Sequence, residues 1–246
     1  MFGADTSQRT VSEFFQAQFS RKLLNGVNCA LILGGAKSSG KSHSLFGEIP
    51  AKHCPVLSQD AGILPNLIYD LFHKISSTDT VSYTIKCSFV AIHLDRIIDL
   101  LRHKSNETKT IFARYSPEEL RLDGATELQC FEEGDAIELI RRGRSFQSFL
   151  SDTVSAENDY FHSCFILTVE ASTGKRTTLS LFELFGFGST QKSNTMGING
   201  NAPYRRSSTA LYRVVDSLSR DAAAEVPYQL SKITSLLRNA LGGNCS

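Results

Sequence analysis

The chain has 246 residues, and its 26 Lys and Arg nearly balance its 25 Asp and Glu, giving a formal net charge of +1. This length suits one large α/β domain with a sizeable core. The near-neutral charge argues against a protein whose overall field attracts nucleic acid or an anionic membrane surface. The sequence shows no signal peptide and no apolar stretch that could span a bilayer, so we expect a soluble, intracellular protein.

Hydrophobic periodicity predicts a succession of helices and strands. Four predicted helices cover 10–24, 131–142, 208–219 and 229–241. Two more are predicted between the first two of these: a short one that begins at Lys41, and one that follows Pro65 and ends near Ile75. The predicted strands cover 27–33, 81–94, 165–170 and 178–185, with a short helix or turn at 97–101 and a Gly/Ser-rich loop at 186–204. Because strands alternate with helices, we expect an α/β fold with a mixed central β-sheet flanked by helices on both faces.

Cysteine and histidine spacing gives little sign of a disulfide or zinc site. The six cysteines form no C-x-x-C pair, and the six histidines lack zinc-ligand spacing. Several cysteines lie in apolar, strand-like runs, so free buried thiols in a reducing compartment are expected.

Residues 35–42 read G-x-x-x-x-G-K-S, a complete phosphate-binding loop placed between a predicted strand and a predicted helix. The glycines let the backbone curl so that successive N–H groups face a β-phosphate. Lys41 would reach the β- and γ-phosphates, and Ser42 would place its hydroxyl on Mg²⁺. The alternative is a Gly/Ser-rich turn that happens to contain a lysine. The expected nucleotide-contacting residues of the loop are Gly35, Lys37, Ser38, Ser39, Gly40, Lys41 and Ser42.

The most specific motif lies near the C-terminal end of the sequence. Residues 226–237 read VPYQLSKITSLL and are followed by LGGN at 241–244, which resembles the kinesin pattern IPYRxSKLTxLLxxxLGGN. Three more kinesin elements are matched in order: the phosphate-loop region at 30–47, GILP with LF at 62–72, and SFVAI with IDLL at 88–101. Because the order is kept across nearly the whole chain, the sequence is identified as a member of the kinesin motor domain family.

This resemblance implies a P-loop NTPase fold that binds ATP or ADP with Mg²⁺, with microtubules (tubulin) as the partner and a place on the cytoskeleton in the cytoplasm. The tyrosine that usually follows the family's phosphate loop is His43 here, which can still stack on a base. We expect residues 1–246 to form a single motor-like domain. It would lack the family's first strand, which carries the adenine contact, and the closing strand and helix, so nucleotide affinity should be lower than in a full motor.

The switch I segment, 158–162, departs from the family pattern. Kinesins have SSRSH there, whereas this chain has NDYFH. The arginine position is therefore Tyr160, and the serine that would help to hold Mg²⁺ is Phe161. His162 alone is retained.

The switch II segment, 183–188, reads ELFGFG in place of the family's DLAGSE. By resemblance, Glu183 can still reach Mg²⁺ through water, and Gly186 can still offer its N–H to a γ-phosphate. The closing glutamate, which pairs with the switch I arginine in the family, is Gly188. Since this chain lacks both partners of that ion pair, we predict weak hydrolysis.

Basic residues mark the surface that would meet acidic tubulin. By resemblance we assign this role to Arg205, Arg206, Lys232 and Arg238, which we call the basic face, and group with them Lys192, Arg213 and Arg220. The family arginine of PYR is Gln229 here. The alternative is a solvated surface without a partner. Arg141, Arg142 and Arg144 are expected to be a cluster at a helix C-terminus, with no assigned role.

The sequence thus leaves three hypotheses. The preferred one is a kinesin-like, microtubule-associated domain that binds nucleotide but hydrolyses ATP poorly. The first alternative is an active motor in which Glu183 and Asp159 substitute for the lost switch residues. The second is a pseudo-motor that binds neither nucleotide nor tubulin and serves as a protein-interaction scaffold.

Overall fold

A mixed β-sheet with helices on both faces organises the computed structural model. The structure describes residues 2–3, 5–54, 56–78, 81–102, 110–115, 120–154, 160–185, 202–220, 225–243 and 245. The helices are α1 Gln8–Leu24, α2 Lys41–Leu45, α3 Ile63–Ser76, α4 Glu133–Thr153, α5 Ala202–Arg220, α6 Lys232–Leu236 and α7 Arg238–Gly242. The strands are β1 Cys29–Leu33, β2 Tyr83–His93, β3 Arg96–Asp99, β4 Phe112–Tyr115, β5 Leu120–Asp123, β6 Leu128–Cys130, β7 His162–Ala171 and β8 Arg176–Glu183.

The sheet has the order β1-β8-β7-β2-β3, and β6 also pairs with β2. β1 runs parallel to β8, whereas β8, β7, β2 and β3 are antiparallel to their neighbours. Leu33 at the end of β1 pairs with Glu183, and Glu183 pairs with Ser163. This register brings the start of the phosphate loop, the end of β8 and the start of β7 to one edge of the sheet. β4 and β5 form a separate hairpin.

Two apolar cores cover the faces of the sheet. In β7, Phe165 and Leu167 pack with α1, α3 and α4, whereas Cys164 and Ile166 pack with α5 and α6 on the other face. This alternation follows from the two-residue period of a strand, which sends successive side chains to opposite faces. It confirms the predicted α/β architecture. None of the helices within the described ranges is long and apolar enough to cross a membrane.

Several predicted elements change in extent or type. The helix or turn predicted at 97–101 is wrong, because Leu94 and Asp95 at φ 48° and 60° reverse the chain and let β3 pair with β2. The helix predicted at 229–241 is divided into a 3₁₀ turn at Tyr228–Leu230, α6 and α7. Ser231 begins α6 by accepting a hydrogen bond from the Thr234 N–H, in a capping box. The predicted loop at 186–204 lies outside the described residues up to 201, and its last residues belong to α5.

Candidate functional site

The phosphate loop joins the end of β1 to the start of α2 through an unusual backbone. Gly35, Ser38 and Gly40 have φ values of 152°, 62° and 88°, so the chain three times enters positive-φ conformations that glycine adopts readily. A Cβ on Gly35 would lie 2.8 Å from Ser39 Oγ, whereas one on Gly40 would meet no atom within 4 Å. Glycine is therefore favoured at both positions by conformation, since the Ser39 side chain is exposed and could move away from a Cβ at position 35. The curled loop predicted from the motif is confirmed.

The lysines of the loop point to different neighbours. Lys41 Nζ donates hydrogen bonds to the carbonyl oxygens of Gly35 at 3.1 Å and Ala36 at 2.5 Å. Its ammonium thus lies within the curve of the loop, where the motif requires it. Lys37 Nζ instead lies 5.7 Å from the centre of the Phe185 ring. The two cations are therefore not equivalent, and Lys41 is the one placed for a phosphate.

The remaining predicted nucleotide contacts are at the surface. The side chains of Ser38, Ser39 and His43 are exposed. The backbone carbonyl of His43 accepts a hydrogen bond from Gln8 Nε2 at 2.7 Å, which ties α2 to α1. An exposed imidazole at this position is free to approach a base.

Ser42 and Glu183 meet where the resemblance places a magnesium site. Ser42 Oγ donates a hydrogen bond to Glu183 Oε1. Glu183 is 9% exposed, and its Oε2 lies 3.4 Å from Ser163 Oγ and 3.5 Å from Arg144 Nη1. Hydroxyl and carboxylate oxygens suit Mg²⁺, which usually completes its shell with water and substrate phosphates. These residues therefore fit the cation as donors. Within the described ranges no group of three or more His, Cys, Asp or Glu could hold a metal by itself.

Tyr160 and Phe161 of switch I and Phe185 of switch II pack together with His93 of β2. We call these four residues the aromatic cluster. The Phe161 ring stacks on His93, with centroids 4.3 Å apart and an angle of 18° between planes. The Tyr160 centroid lies 6.0 Å from those of both His93 and Phe185. Tyr160 and Phe161 are buried, at 8% and 7% exposure. The positions of a polar switch are thus occupied by packed rings.

His162 connects switch II to α5. Its Nδ1 accepts a hydrogen bond from the Phe185 N–H at 3.1 Å, and its Nε2 lies 3.4 Å from Ser207 Oγ. Burial lowers the pKa of His162 to about 4, so the imidazole is neutral at pH 7. Five other switch positions, Asn158, Asp159, Gly186, Phe187 and Gly188, lie outside the described residues, and the predicted role of Gly186 stays a prediction.

The basic face extends over α5, α6 and α7. Arg206 on α5 is exposed, and so are Lys232 at the start of α6 and Arg238 at the start of α7. The Lys232 N–H donates to Asp95 Oδ1 at 2.6 Å, and the Arg238 guanidinium lies 5.7 Å from the Tyr228 ring centre. The side chain of Arg205 and all of Lys192 lie outside the described residues.

α5 adds an arginine stripe to this surface. Arg206, Arg213 and Arg220 are all exposed and recur every seventh residue, so they project from one side of the helix. Tyr212 lies beside them and is 70% exposed. Arg220 is paired with Asp216 at 2.9 Å. Since α5 packs on α6, the stripe and Lys232 belong to neighbouring elements.

Arg144 is the site residue that the sequence reasoning missed. The expected cluster at a helix C-terminus is wrong, because α4 continues to Thr153 and its arginines have separate partners. Arg141 pairs with Glu138 at 2.6 Å, Arg142 donates to the Arg102 carbonyl at 2.9 Å, and Arg144 reaches Glu183. The available signal was Gly143, since a glycine inside a helix often marks a close approach to a neighbour.

Comparison with known proteins identifies one family. The kinesin motor domain family matches residues 1–246. Kinesin-related protein 3 of Dictyostelium discoideum is 28% identical over 256 residues, which cover 99% of this chain and 21% of the relative. Kinesin heavy chain of Botryotinia fuckeliana is 27% identical over 254 residues, which cover 99% of this chain and 28% of the relative. The chain therefore spans between a fifth and a third of the length of these curated relatives.

A solved structure agrees with the family match. It is that of a fast kinesin, reported with implications for its ATPase mechanism and its interactions with microtubules. The two folds align with a TM-score of 0.83 at 25% identity, over 99% of this chain and 69% of that one. The central sheet and its flanking helices are thus those of a kinesin motor, and the phosphate loop occupies the expected place in it. The chain belongs to the kinesin motor domain family.

Proposed function

We propose that this chain is a microtubule-associated kinesin domain that binds ATP or ADP with Mg²⁺ but hydrolyses ATP slowly. Residues 1–246 would form one motor-like domain. The observation that carries the proposal is the contrast between an intact phosphate loop and a switch I segment whose Tyr160 and Phe161 are packed into an aromatic cluster.

Nucleotide binding is supported by the loop geometry. Lys41 lies inside the loop, and Ser42 meets Glu183 beside it. Lys41 would hold the β- and γ-phosphates, while Ser42 and Glu183 would hold Mg²⁺, Glu183 through water. When bound, Mg²⁺ would neutralise charge on the phosphate oxygens. The exposed His43 would stack on the base.

Slow hydrolysis is supported by the chemistry of the switch. Phosphoryl transfer depends on positioning the attacking water and stabilising the developing charge. Tyr160 and Phe161 are buried among rings and bring no guanidinium or aliphatic hydroxyl to this task. Gly188 has no side chain with which to pair. Loss of such a clamp reduces the rate by at least about 10²–10³-fold.

Microtubule association is supported by the basic face and the arginine stripe on α5. Exposed guanidinium and ammonium groups on adjoining helices suit the acidic surface of tubulin. An active motor is the second candidate, favoured by the retained contact between Ser42 and Glu183. Steady-state ATPase with and without microtubules separates these candidates, and co-sedimentation tests association directly.

A further inference from the structure

We infer that Arg144 is a positioning residue of the nucleotide site, which neutralises Glu183 and thereby makes nucleotide binding less dependent on Mg²⁺. The inference rests on the proposed nucleotide-binding function and goes beyond it. It concerns a cation on α4 that neither the phosphate-loop motif nor the switch motifs contain.

The position of Arg144 follows from the packing of α4 on the sheet. A Cβ on Gly143 would lie 2.2 Å from Phe89 Cδ1, so only glycine lets α4 approach this ring so closely. The next residue, Arg144, then reaches the end of β8. Its guanidinium carbon lies 4.6 Å from the centre of the Phe46 ring, and its Nη1 lies 3.1 Å from Gln147 Oε1. A stacked, hydrogen-bonded guanidinium loses less freedom when it pairs with a carboxylate.

Glu183 needs such a partner because its carboxylate is largely removed from water. It contacts two hydroxyl groups, on Ser42 and Ser163, and these supply dipoles but no charge. Lys41 turns instead to the carbonyl groups of its own loop. Among the described residues, Arg144 is the cation within salt-bridge range of Glu183, at 3.5 Å. A buried carboxylate left without it would attract another cation strongly.

This arrangement predicts how the site responds to a divalent cation. With Arg144 present, Glu183 is already neutralised, and Ser42 is held by hydrogen bonding in a fixed place beside the loop. Without Arg144, Glu183 would repel the phosphates unless Mg²⁺ lay between them. Arg144 therefore acts through Glu183, and its removal should weaken binding more in the absence of Mg²⁺ than in its presence.

The test is a titration of the protein with a fluorescent ADP analogue, in excess Mg²⁺ and in excess EDTA. We expect the ratio of the two Kd values, EDTA over Mg²⁺, to rise about tenfold in both Arg144→Gln and Arg144→Met, the scale of a charge interaction at this range when solvent screens it. Met preserves the apolar contact with Phe46, so it serves if the Gln variant does not fold. Arg144→Lys keeps the charge but not the stacked guanidinium, so it should raise the ratio clearly less than the two neutral variants do. Arg141→Gln removes a cation from the same helix and should leave the ratio unchanged.

The outcomes separate this inference from the function on which it rests. An unchanged ratio in both neutral variants, or the same rise in Arg144→Lys, would overturn the inference while leaving nucleotide binding intact. A wild-type chain that binds no nucleotide would overturn the proposed function and the inference with it. A merely structural role for Arg144 would weaken binding equally with and without Mg²⁺, and that result would also overturn it.

Discussion

The phosphate loop and the switch region are specified by the sequence in different ways, one by a contiguous motif and the other by residues from distant segments. The loop works through its backbone, so a run of eight residues with glycines at 35 and 40 is enough to specify it. The switch works through pairs of side chains that come from distant segments. Tyr160 and Gly188 occupy the two positions of one family ion pair. Because loss of both partners leaves no stranded charge, we expect the fold to tolerate the change and ATP hydrolysis to be slowed by it.

What replaces the ion pair also matters. Tyr160 approaches Phe185, so the segments that a salt bridge joins in the family are joined here by aromatic contacts. Such contacts contribute about 0.5–1.5 kcal/mol per pair beyond their buried area, and they carry no charge that could respond to a γ-phosphate. The comparison teaches that the fold of the phosphate loop can be kept while residues at the switch I positions pack into an aromatic cluster.

The largest effect is expected at the loop, from Lys41→Ala. Removing the ammonium that lies against Gly35 and Ala36 should weaken nucleotide binding by at least about 100-fold. The matched control is Lys37→Ala, which removes a cation that faces Phe185 and should change affinity by less than about threefold. A fluorescent-nucleotide titration measures both. Equal affinity of wild type and Lys41→Ala would contradict the phosphate-loop assignment.

The second expected effect is a loss of stability in acid, caused by His162. Its pKa is about 4 in the folded protein and about 6.5 in the unfolded chain. Between these values the unfolded state binds more protons, so the stability contributed by neutral His162 is present above pH 6.5 and is lost as the pH falls towards 4. The free energy of unfolding should fall by about 2–3 kcal/mol through this group.

Urea unfolding of wild type and His162→Gln at pH 7 and pH 4.5 isolates this contribution from that of the carboxylates. The variant should be less stable than wild type at pH 7, since it replaces a buried ring, but its stability should decline less on acidification. Parallel declines in the two proteins would show that His162 does not titrate in this window.

The third expected effect concerns the basic face. Charge reversal at Arg206 and Lys232 together should weaken microtubule co-sedimentation by about tenfold, and wild-type binding should weaken steeply with salt because exposed charges are screened within about 8–10 Å. Arg176→Gln is a suitable control, since this arginine pairs with Glu127 and Glu170 at the opposite end of β8. Binding that is insensitive to salt, or absent at low salt, would favour the scaffold hypothesis.

The smallest expected effect comes from restoring the switch ion pair. Tyr160→Arg with Gly188→Glu should raise ATP turnover by less than about threefold, because Phe161 still occupies a position that is polar in the family. Adding Phe161→Ser should raise turnover further and non-additively. It should also lower the free energy of unfolding by about 3–5 kcal/mol, since it removes a buried ring. Full recovery by the double variant alone would contradict this account.

Sequence patterns predicted the elements that are specified by residues close together in the chain. The hydrophobic periodicity that predicts α1 and the glycines of the loop each lie within a short window, and both the helix and the curled loop are confirmed. β3 was missed because its turn depends on positive φ at Leu94 and Asp95, a conformation that is uncommon for residues other than glycine. The short β4–β5 hairpin and β6 were also not predicted, since three or four residues give too little periodicity.

The site residues likewise divide into those that a contiguous motif predicts and those that depend on contacts between distant segments. Ser42 and Lys41 could be assigned from a contiguous motif, and their roles in nucleotide binding stay predictions. Arg144 could not, because its role depends on Gly143 approaching Phe89 and on Phe46 lying against the Arg144 guanidinium. Such contacts join segments about 40 to 100 residues apart, and no pattern within a single window records them.

Steady-state ATP turnover of the unmodified chain, with and without saturating microtubules, tests the central claim most directly. The account predicts nucleotide binding in the same preparation, slow basal turnover, and no appreciable stimulation by microtubules, because Tyr160 and Phe161 are held in the aromatic cluster. Robust turnover that microtubules stimulate strongly would contradict it and establish an active motor with non-standard switches.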